Sequence, residues 1–481
     1  MSFKQSAFSS QLSARIQGEP LFFFFVFFVS LWFILFVVPV SAQDENIFGV
    51  VEGFWFPDLT CDLGVGWERI IFDWSQHQPE GPDDWYTLNV DDRWLKAANQ
   101  CNREVVALLK HTPAWATDGT VGAGVPRGLY LPVDDPGNLW ANFVRRSAQY
   151  YATRGVYRFI IWNEPDISRE TYGFEFEGTL DDYFQMLKVA YIAAKEGNPA
   201  AVIHLAGTTY WHDVNEGERL YMDRLLERIQ QDPDAKANHN YFDVFSLHIY
   251  FRTDTVYDIV NQTRALLNRY EMGDKHIWIN ETNAAPTDDP LWPVARPVYQ
   301  LNLRQQAAFL VQAAALGLAA GADHIAVYKL YDQQLPPGGE SFGILSPADQ
   351  SPRPAFDAWK TVIRYFNSVE EARRGRSRRV DVVKLTHRDG HETFAAWART
   401  AEAAQIQISA TGEKAQLIDQ YGNIVLVRPV DGVYRVSLPG ALCNAVDGCA
   451  VGGLVFLLIQ PTGGTTVREV IPTGQVDLAF E

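Results

Sequence analysis

Residues 104–162 read EVVALLKHTPAWATDGTVGAGVPRGLYLPVDDPGNLWANFVRRSAQYYATRGVYRFIIW, one full repeat of the pattern that decides the fold. An apolar run, EVVALL, gives way to a long segment rich in Gly and Pro, then to LWANFVRRSAQYY, whose apolar positions recur with helical period. A short link, ATRGV, leads into the next apolar run, YRFIIW. Both runs are apolar almost throughout, as expected of parallel strands covered on both faces. The segment leaving the strand is long and the one entering it is short.

The same alternation extends from Asn46 to Asn367 through IFGVVEGF, RIIFDW, EVVALL, YRFIIW, AVIHLAG, DVFSLHIY, HIWIN and HIAVYKLY. Thr179 and Asp182 form a capping-box signal ahead of DDYFQMLKVAYIAAKE, and Gly197-Asn198-Pro199 closes that helix. Eight strand–helix units over roughly 320 residues predict a (β/α)8 TIM barrel, an α/β fold that takes about 250 residues plus insertions. A doubly wound open sheet is the alternative, but no GxGxxG follows any strand, so its usual cofactor signature is missing. Long segments after strands, NAAPTDDPLWPVARPVYQ among them, place the elaboration on the C-terminal face of the barrel.

From Val380 the pattern changes to alternating strands and turns, with hairpin signals at Asp389-Gly390 and Tyr421-Gly422-Asn423. The expected organisation is therefore a barrel over residues 43–370, a basic linker at 371–379 (EARRGRSRR) and a small antiparallel β-sandwich over 380–481. His387 and His391 flank the first hairpin turn and read as exposed hairpin residues rather than a metal pair.

Composition narrows the setting. The formal net charge of -17 argues against nucleic acid as a partner, and 13% aromatic residues fit a globular chain with broad aromatic surfaces. Near the start, Lys4 and Arg15 precede LFFFFVFFVSLWFILFVVPV, followed by Val40, Ser41 and Ala42 as a small-residue cleavage signal. Residues 1–42 read as a signal peptide or, since the run is long enough to span a bilayer, an uncleaved N-terminal membrane anchor. Both readings stay open, and either exports the chain to the cell surface or beyond. Four cysteines suit an oxidising compartment. Cys443 and Cys449 in CNAVDGC are expected to staple a loop, a Cys61–Cys101 bridge stays open, and without a CxxC pair no metal is expected of them.

Chemistry concentrates at two strand ends. Glu164 closes the fourth strand in RFIIWNEPD and Glu281 the seventh in HIWINETNAAP, each behind an Asn, Asn163 and Asn280. In an eight-strand ring those ends share one central pocket. Two carboxylates brought together there are what a retaining glycosidase needs, one to attack the anomeric carbon and one to protonate the leaving oxygen. No cofactor or metal is required. A lone Glu at a strand end is usually a loop or capping residue; the pair reverses that reading. Asp166 has no role here beyond a solvated or loop-capping acid.

On these residues the barrel resembles the clan A glycoside hydrolases, particularly families 39 and 5. WNEP (162–165) matches the clan's strand-four motif, and the resemblance implies that Glu164 is the acid/base and Glu281 the nucleophile. It further implies that Asn163 binds the sugar 2-hydroxyl, that Arg69 in GWERIIFDW steadies the nucleophile, and that His248 and Tyr250 in SLHIY stand near it. FGILSPADQSPRPAFDAWKTV is similar to the clan's closing loop and last helix. The chain departs from the pattern in reading Asn-Glu-Thr-Asn at the nucleophile and VYKLYD where many members carry a Trp. Trp55, Trp115, Tyr172, Phe174, Trp211 and Trp292 crowd the expected mouth, with Trp55 and Trp292 taken as substrate-binding. The expected function is an exported retaining glycosidase acting on β-linked oligo- or polysaccharides. A carbohydrate-binding protein with a retired barrel and a transglycosylase using the same site are the alternatives.

Overall fold

The computed structural model describes residues 46–481 apart from 172 and 462. The N-terminal apolar run and Tyr172 lie outside the described residues. Among the described residues, no helix is long and apolar enough to cross a membrane.

Eight parallel strands close into a barrel: β1 (Phe48–Val51), β2 (Trp67–Asp73), β3 (Glu104–Lys110), β4 (Arg158–Ile161), β5 (Val202–Leu205), β6 (Val244–Tyr250), β7 (His276–Asn283) and β8 (His324–Val327). Their order round the ring follows the chain, with β8 returning to pair with β1. Helices α1 (Pro57–Leu63), α2 (Asp92–Gln100), α3 (Leu139–Ala152), α4 (Leu180–Gly197), α5 (Tyr221–Gln230), α6 (Thr253–Arg269), α7 (Leu303–Ala319) and α8 (Pro354–Phe366) follow the eight strands in turn. The expected capping box opens α4: the Thr179 hydroxyl accepts from the Asp182 N–H, and the Asp182 carboxylate accepts from the Thr179 N–H. A second, Asn302 with Gln305, opens α7.

The barrel floor is filled rather than open. Trp67, Val106, Leu108, Ile160, Val244, Trp278 and Ala326 pack together inside the ring, the two indoles 4.9 Å apart. Gly49 makes room for this floor, since a Cβ there would lie 2.3 Å from the Trp67 ring. With the floor plugged, only the C-terminal mouth is left to hold a ligand.

The C-terminal region differs from expectation at its start. The basic run is not a linker: Val369–Arg376 is a strand, β9, paired antiparallel with β10 (Val380–His387). The composition looks solvated, but alternation turns Arg374 inward. There its guanidinium donates to Asp381 at 2.8 and 3.1 Å and lies over the Tyr257 ring. The second structural region therefore begins at Val369, directly after α8.

Strands β9, β10, β11 (Glu392–Ala398), β13 (Ala415–Asp419), β14 (Ile424–Val427) and β16 (Phe456–Gln460) build a six-stranded sheet. A four-stranded sheet of β12 (Ala404–Ser409), β15 (Val433–Leu438), β17 (Val467–Ile471) and β18 (Gly474–Asp477) covers it. Val380, Val382, Phe394 and Ala396 face this second sheet, while Val383, Leu385, Ala395 and Trp397 join the core of the barrel. Strands β10 and β11 are thus buried on both faces, the period-two rule applied twice. Both disulfides are formed. Cys61–Cys101 ties α1 to the end of α2, and Cys443–Cys449 closes a loop of the sandwich. The His387 and His391 rings stack at 3.9 Å; His387 is 3% exposed rather than solvated, with Nε2 3.0 Å from the Thr393 hydroxyl.

Candidate active site

The floor and the mouth make conflicting demands on β7. Trp278 belongs to the floor, so strict alternation would turn Glu281, three residues on, to the outside. The strand resolves this with a bulge. Leu247 of β6 pairs with Ile279, yet the next residue, His248, pairs with Glu281, leaving Asn280 as an extra residue. The pairing with β8 shifts at the same place. A bulge re-aims the side chains beyond it, and here it turns Glu281 into the pocket. On β6 no such device is needed, because Val244 in the floor, His248 and Tyr250 already share one face.

Glu164 is aimed differently. Strand β4 ends at Ile161, and the following turn places Trp162 at φ 70° and Glu164 at φ 40°, both in the left-handed region. Such backbone is held only where the surroundings over-determine it. The Trp162 indole is fully buried and donates to the Glu175 carbonyl at 3.0 Å, and the Glu164 N–H donates to the Gly207 carbonyl at 3.1 Å. Gly207 also lies under His248, where an added Cβ would come within 2.1 Å of the imidazole.

These elements bring the expected residues together. Arg69 Nη1 is 2.5 Å from Glu281 Oε1, and the Tyr250 hydroxyl donates to Glu281 Oε2. His248 Nδ1 lies 2.6 Å from Glu164 Oε1 and 3.4 Å from Glu281 Oε2. One oxygen of each glutamate and a nitrogen of His248 lie within 4.8 Å of one another. Among the described residues this trio is the grouping whose donors could hold a metal ion, but Arg69 already supplies the positive charge that Glu281 faces.

The electrostatics favour the charged form of Glu281. Burial by itself raises the Glu281 carboxyl, but Arg69, His248 and the Tyr250 hydroxyl outweigh it and hold it below the usual range. Burial would lower His248, yet Glu281 and the hydrogen bond to Glu164 raise it instead. Tyr250 is pushed well above the ordinary phenol value, first by burial and then by Glu281, so it remains a hydrogen-bond donor.

Two clefts lie at the barrel mouth, and the first of them includes the centre. One, of about 460 Å³, is lined by Glu164, Trp211, Tyr250, Phe251, Arg252 and Tyr299. The other, of about 540 Å³, lies at the ends of β1, β2, β3 and β8, with Trp55, Asn89, the Lys329–Glu52 pair and the His111–Asp73 pair in its walls. Trp55 lines the second of these clefts and Trp211 the first. Trp292 lines neither: it sits in a hairpin with Asp288–Asp289 and donates to the Gly339 carbonyl at 2.9 Å. Trp115 is tied to the Gln78 carbonyl at 2.6 Å and packs on Trp74. Asn163 follows Trp162 in the turn and is 9% exposed.

Three neighbours of the site were given no role in it from the sequence. Tyr328, just past β8, stands edge-on to Tyr250 with ring centroids 6.0 Å apart, and burial, then the Glu281 and Glu52 charges, raise it well above its ordinary value. Lys329, the next residue, reaches Glu52 at 2.5 Å. Asp166 is neither solvated nor a simple cap. It is 7% exposed, accepts from the Thr209 N–H and hydroxyl at 2.7 Å each, and leaves Oδ1 without a hydrogen-bond partner. Burial pushes its pKa up to about 6 against the lowering effect of Thr209, with Glu164 adding to the rise. The signal for Tyr328 and Lys329 was the polar ending of VYKLYD; Asp166 carried none.

A closed parallel barrel with an antiparallel β-domain behind it, and two glutamates at its C-terminal mouth, defines the architecture shared by many glycoside hydrolases. The chain matches solved structures of that kind. One is a family 39 glycoside hydrolase from Bacteroides cellulosilyticus WH2, with a TM-score of 0.64 and 15% identity over 87% of this chain and 81% of that one. Others are the catalytic domain of the GH30 xylanase C of Talaromyces cellulolyticus (0.57, 14%, 88% and 98%) and a monomeric β-xylosidase of Caulobacter crescentus CB15 (0.54, 14%, 87% and 96%). At these identities the likeness is one of fold, and it bears out the TIM barrel read from the sequence. No protein-family profile matches the chain, and no curated protein matches it.

Proposed function

We propose that this protein is an exported retaining glycoside hydrolase that cleaves β-linked O-glycosidic bonds by double displacement. The observation that carries this reading is that an oxygen of each glutamate lies within 4.8 Å of the other's. So close an approach of one oxygen pair favours the roughly 5–5.5 Å carboxyl separation of retaining enzymes over the ~6.5–9.5 Å that leaves room for an attacking water. Glu281, held ionised by Arg69, attacks the anomeric carbon and the bond to the leaving oxygen breaks. Glu164 gives its proton to that oxygen. A water then donates a proton to Glu164 and attacks the anomeric carbon, and Glu281 leaves as the carboxylate. Asn163 binds the 2-hydroxyl, Trp55 stacks on a sugar ring, and His248 and Tyr250 fix the two carboxylates. The fold neighbours, xylanase and β-xylosidase by description, support a plant-type β-glycan as the substrate class. Export rests on the N-terminal apolar run. Two carboxylates kept at reacting distance weigh against a purely carbohydrate-binding role.

The test is a screen against aryl β-glycosides, followed by trapping with the 2-deoxy-2-fluoro analogue of the active sugar. Peptide mass spectrometry should find the label on Glu281. A label on any other residue overturns the assignment.

A further inference from the structure

Phe251 and Tyr299 line the cleft beside Glu164 and stack on each other, with ring centroids 4.9 Å apart and planes at 21°. They come from different loops, after β6 and after β7. Both loops are gripped by residues 441–453 of the C-terminal domain, the segment closed by Cys443–Cys449. On the β6 side, the Thr253 N–H donates to the Ala450 carbonyl at 3.0 Å. The Thr253 hydroxyl donates to Gln312 Oε1 at 2.9 Å, and the same oxygen accepts from the Gly452 N–H at 3.0 Å. On the β7 side, the Gln300 N–H donates to Asp447 Oδ2 at 3.0 Å. Asn444 fixes that carboxylate, donating to Oδ2 at 2.7 Å and accepting from the Asp447 N–H at 2.6 Å.

Around the bridge the loop is open to solvent, with Leu442 50% and Val446 84% exposed, while Ala450 and Val451 anchor its far end in the core. The Thr253–Ala450 and Gln300–Asp447 contacts fall within two residues of the stacked rings on both sides. A loop already closed by a disulfide loses less freedom on docking than an open one. We propose that the disulfide-closed loop of the C-terminal domain is a positioning element of the active site. Through Asp447 and Ala450 it sets the Phe251–Tyr299 wall against which the leaving group packs. This rests on Glu164 being the acid, because the acid marks the leaving-group side.

The test compares wild type, Asp447→Ala and the double variant C443S/C449S in the full chain. The substrates are the 4-methylumbelliferyl β-xyloside or β-glucoside that the wild type turns over and the matching glycosyl fluoride, whose leaving group is too small to reach the wall. Both variants should lose about tenfold in kcat/KM on the umbelliferyl substrate while staying within about twofold on the fluoride, the size of loss expected from a small displacement far from the chemistry. Hydrogen exchange at residues 251–253 and 298–301 should accelerate in both. Equal losses on the two substrates, or unchanged exchange, overturn the proposal. If the wild type hydrolyses neither substrate, the proposed function fails by itself, and the exchange data still decide whether the loop holds the wall.

Discussion

The two glutamates at the barrel mouth end strands of similar composition, each behind an asparagine, yet they sit in opposite surroundings. Glu281 is 6% exposed, ion-paired to Arg69 and hydrogen-bonded by Tyr250. Glu164 is 18% exposed and has one close side-chain partner, His248 Nδ1. The first is clamped as an anion; the second keeps solvent access and few bonds. A nucleophile must be charged and still before the reaction, whereas an acid/base must pick up and release a proton in each cycle. The contrast in environment suits the proposed roles, Glu281 as nucleophile and Glu164 as acid/base.

Replacing Glu281 breaks the comparison at its stronger end. Glu281→Ala should lower kcat by about 10⁴-fold or more on every substrate, the scale of loss for a covalent nucleophile. It should also lower the melting temperature, because Arg69 is left buried without its partner, which costs about 3–5 kcal/mol. Glu164→Ala should cost about 10²–10⁴-fold on substrates with poor leaving groups. It should largely spare activated aryl glycosides and recover with azide. An equal loss on both substrate types would remove the acid role from Glu164.

Subtler variants sharpen the contrast. Arg69→Met removes the main opponent of Glu281 burial, so the carboxyl rises and the acid limb of the kcat/KM profile should move up by about 1–3 pH units. A limb that stays in place would mean another group titrates there. Asp166→Asn probes the turn beside Glu164. The native carboxyl, at about 6 against an unfolded value near 3.9, binds its proton more tightly folded than unfolded. Its contribution to stability is therefore fully present below pH 4 and lost as the pH rises through 6, a change on the order of 2–3 kcal/mol. The Asn variant keeps acceptors for Thr209 but not this titration, so denaturant unfolding should show a flatter stability profile between pH 4 and 6.

Much of this architecture was legible in the chain, because the barrel repeats one physical rule eight times. Long loops after strands and short ones before them also fixed which end of the barrel carries the site. The glutamates, Arg69, His248 and Tyr250 stood out because charged and polar residues at the ends of apolar runs are conspicuous. What stayed hidden depended on contacts between segments distant in sequence. EARRGRSRR looked solvated because nothing local announces that Asp381 waits for Arg374 across the hairpin. The hairpin that holds Trp292 was hidden too, because a loop indole gives no sign that the Gly339 carbonyl will accept its N–H. Asp166 looked like a surface acid, since its burial comes from a loop more than forty residues later in the chain.

The extra residue at Asn280 reaches beyond the placement of one side chain. A strand with unbroken alternation would have to choose between an indole in the plug and a carboxylate in the pocket. With one surplus residue, β7 changes phase midway and serves both. Its lower half obeys the geometry of a packed core and its upper half that of a reaction centre, so each can vary without forcing the other out of step. The inserted residue works as a clutch between stability and chemistry on a single strand.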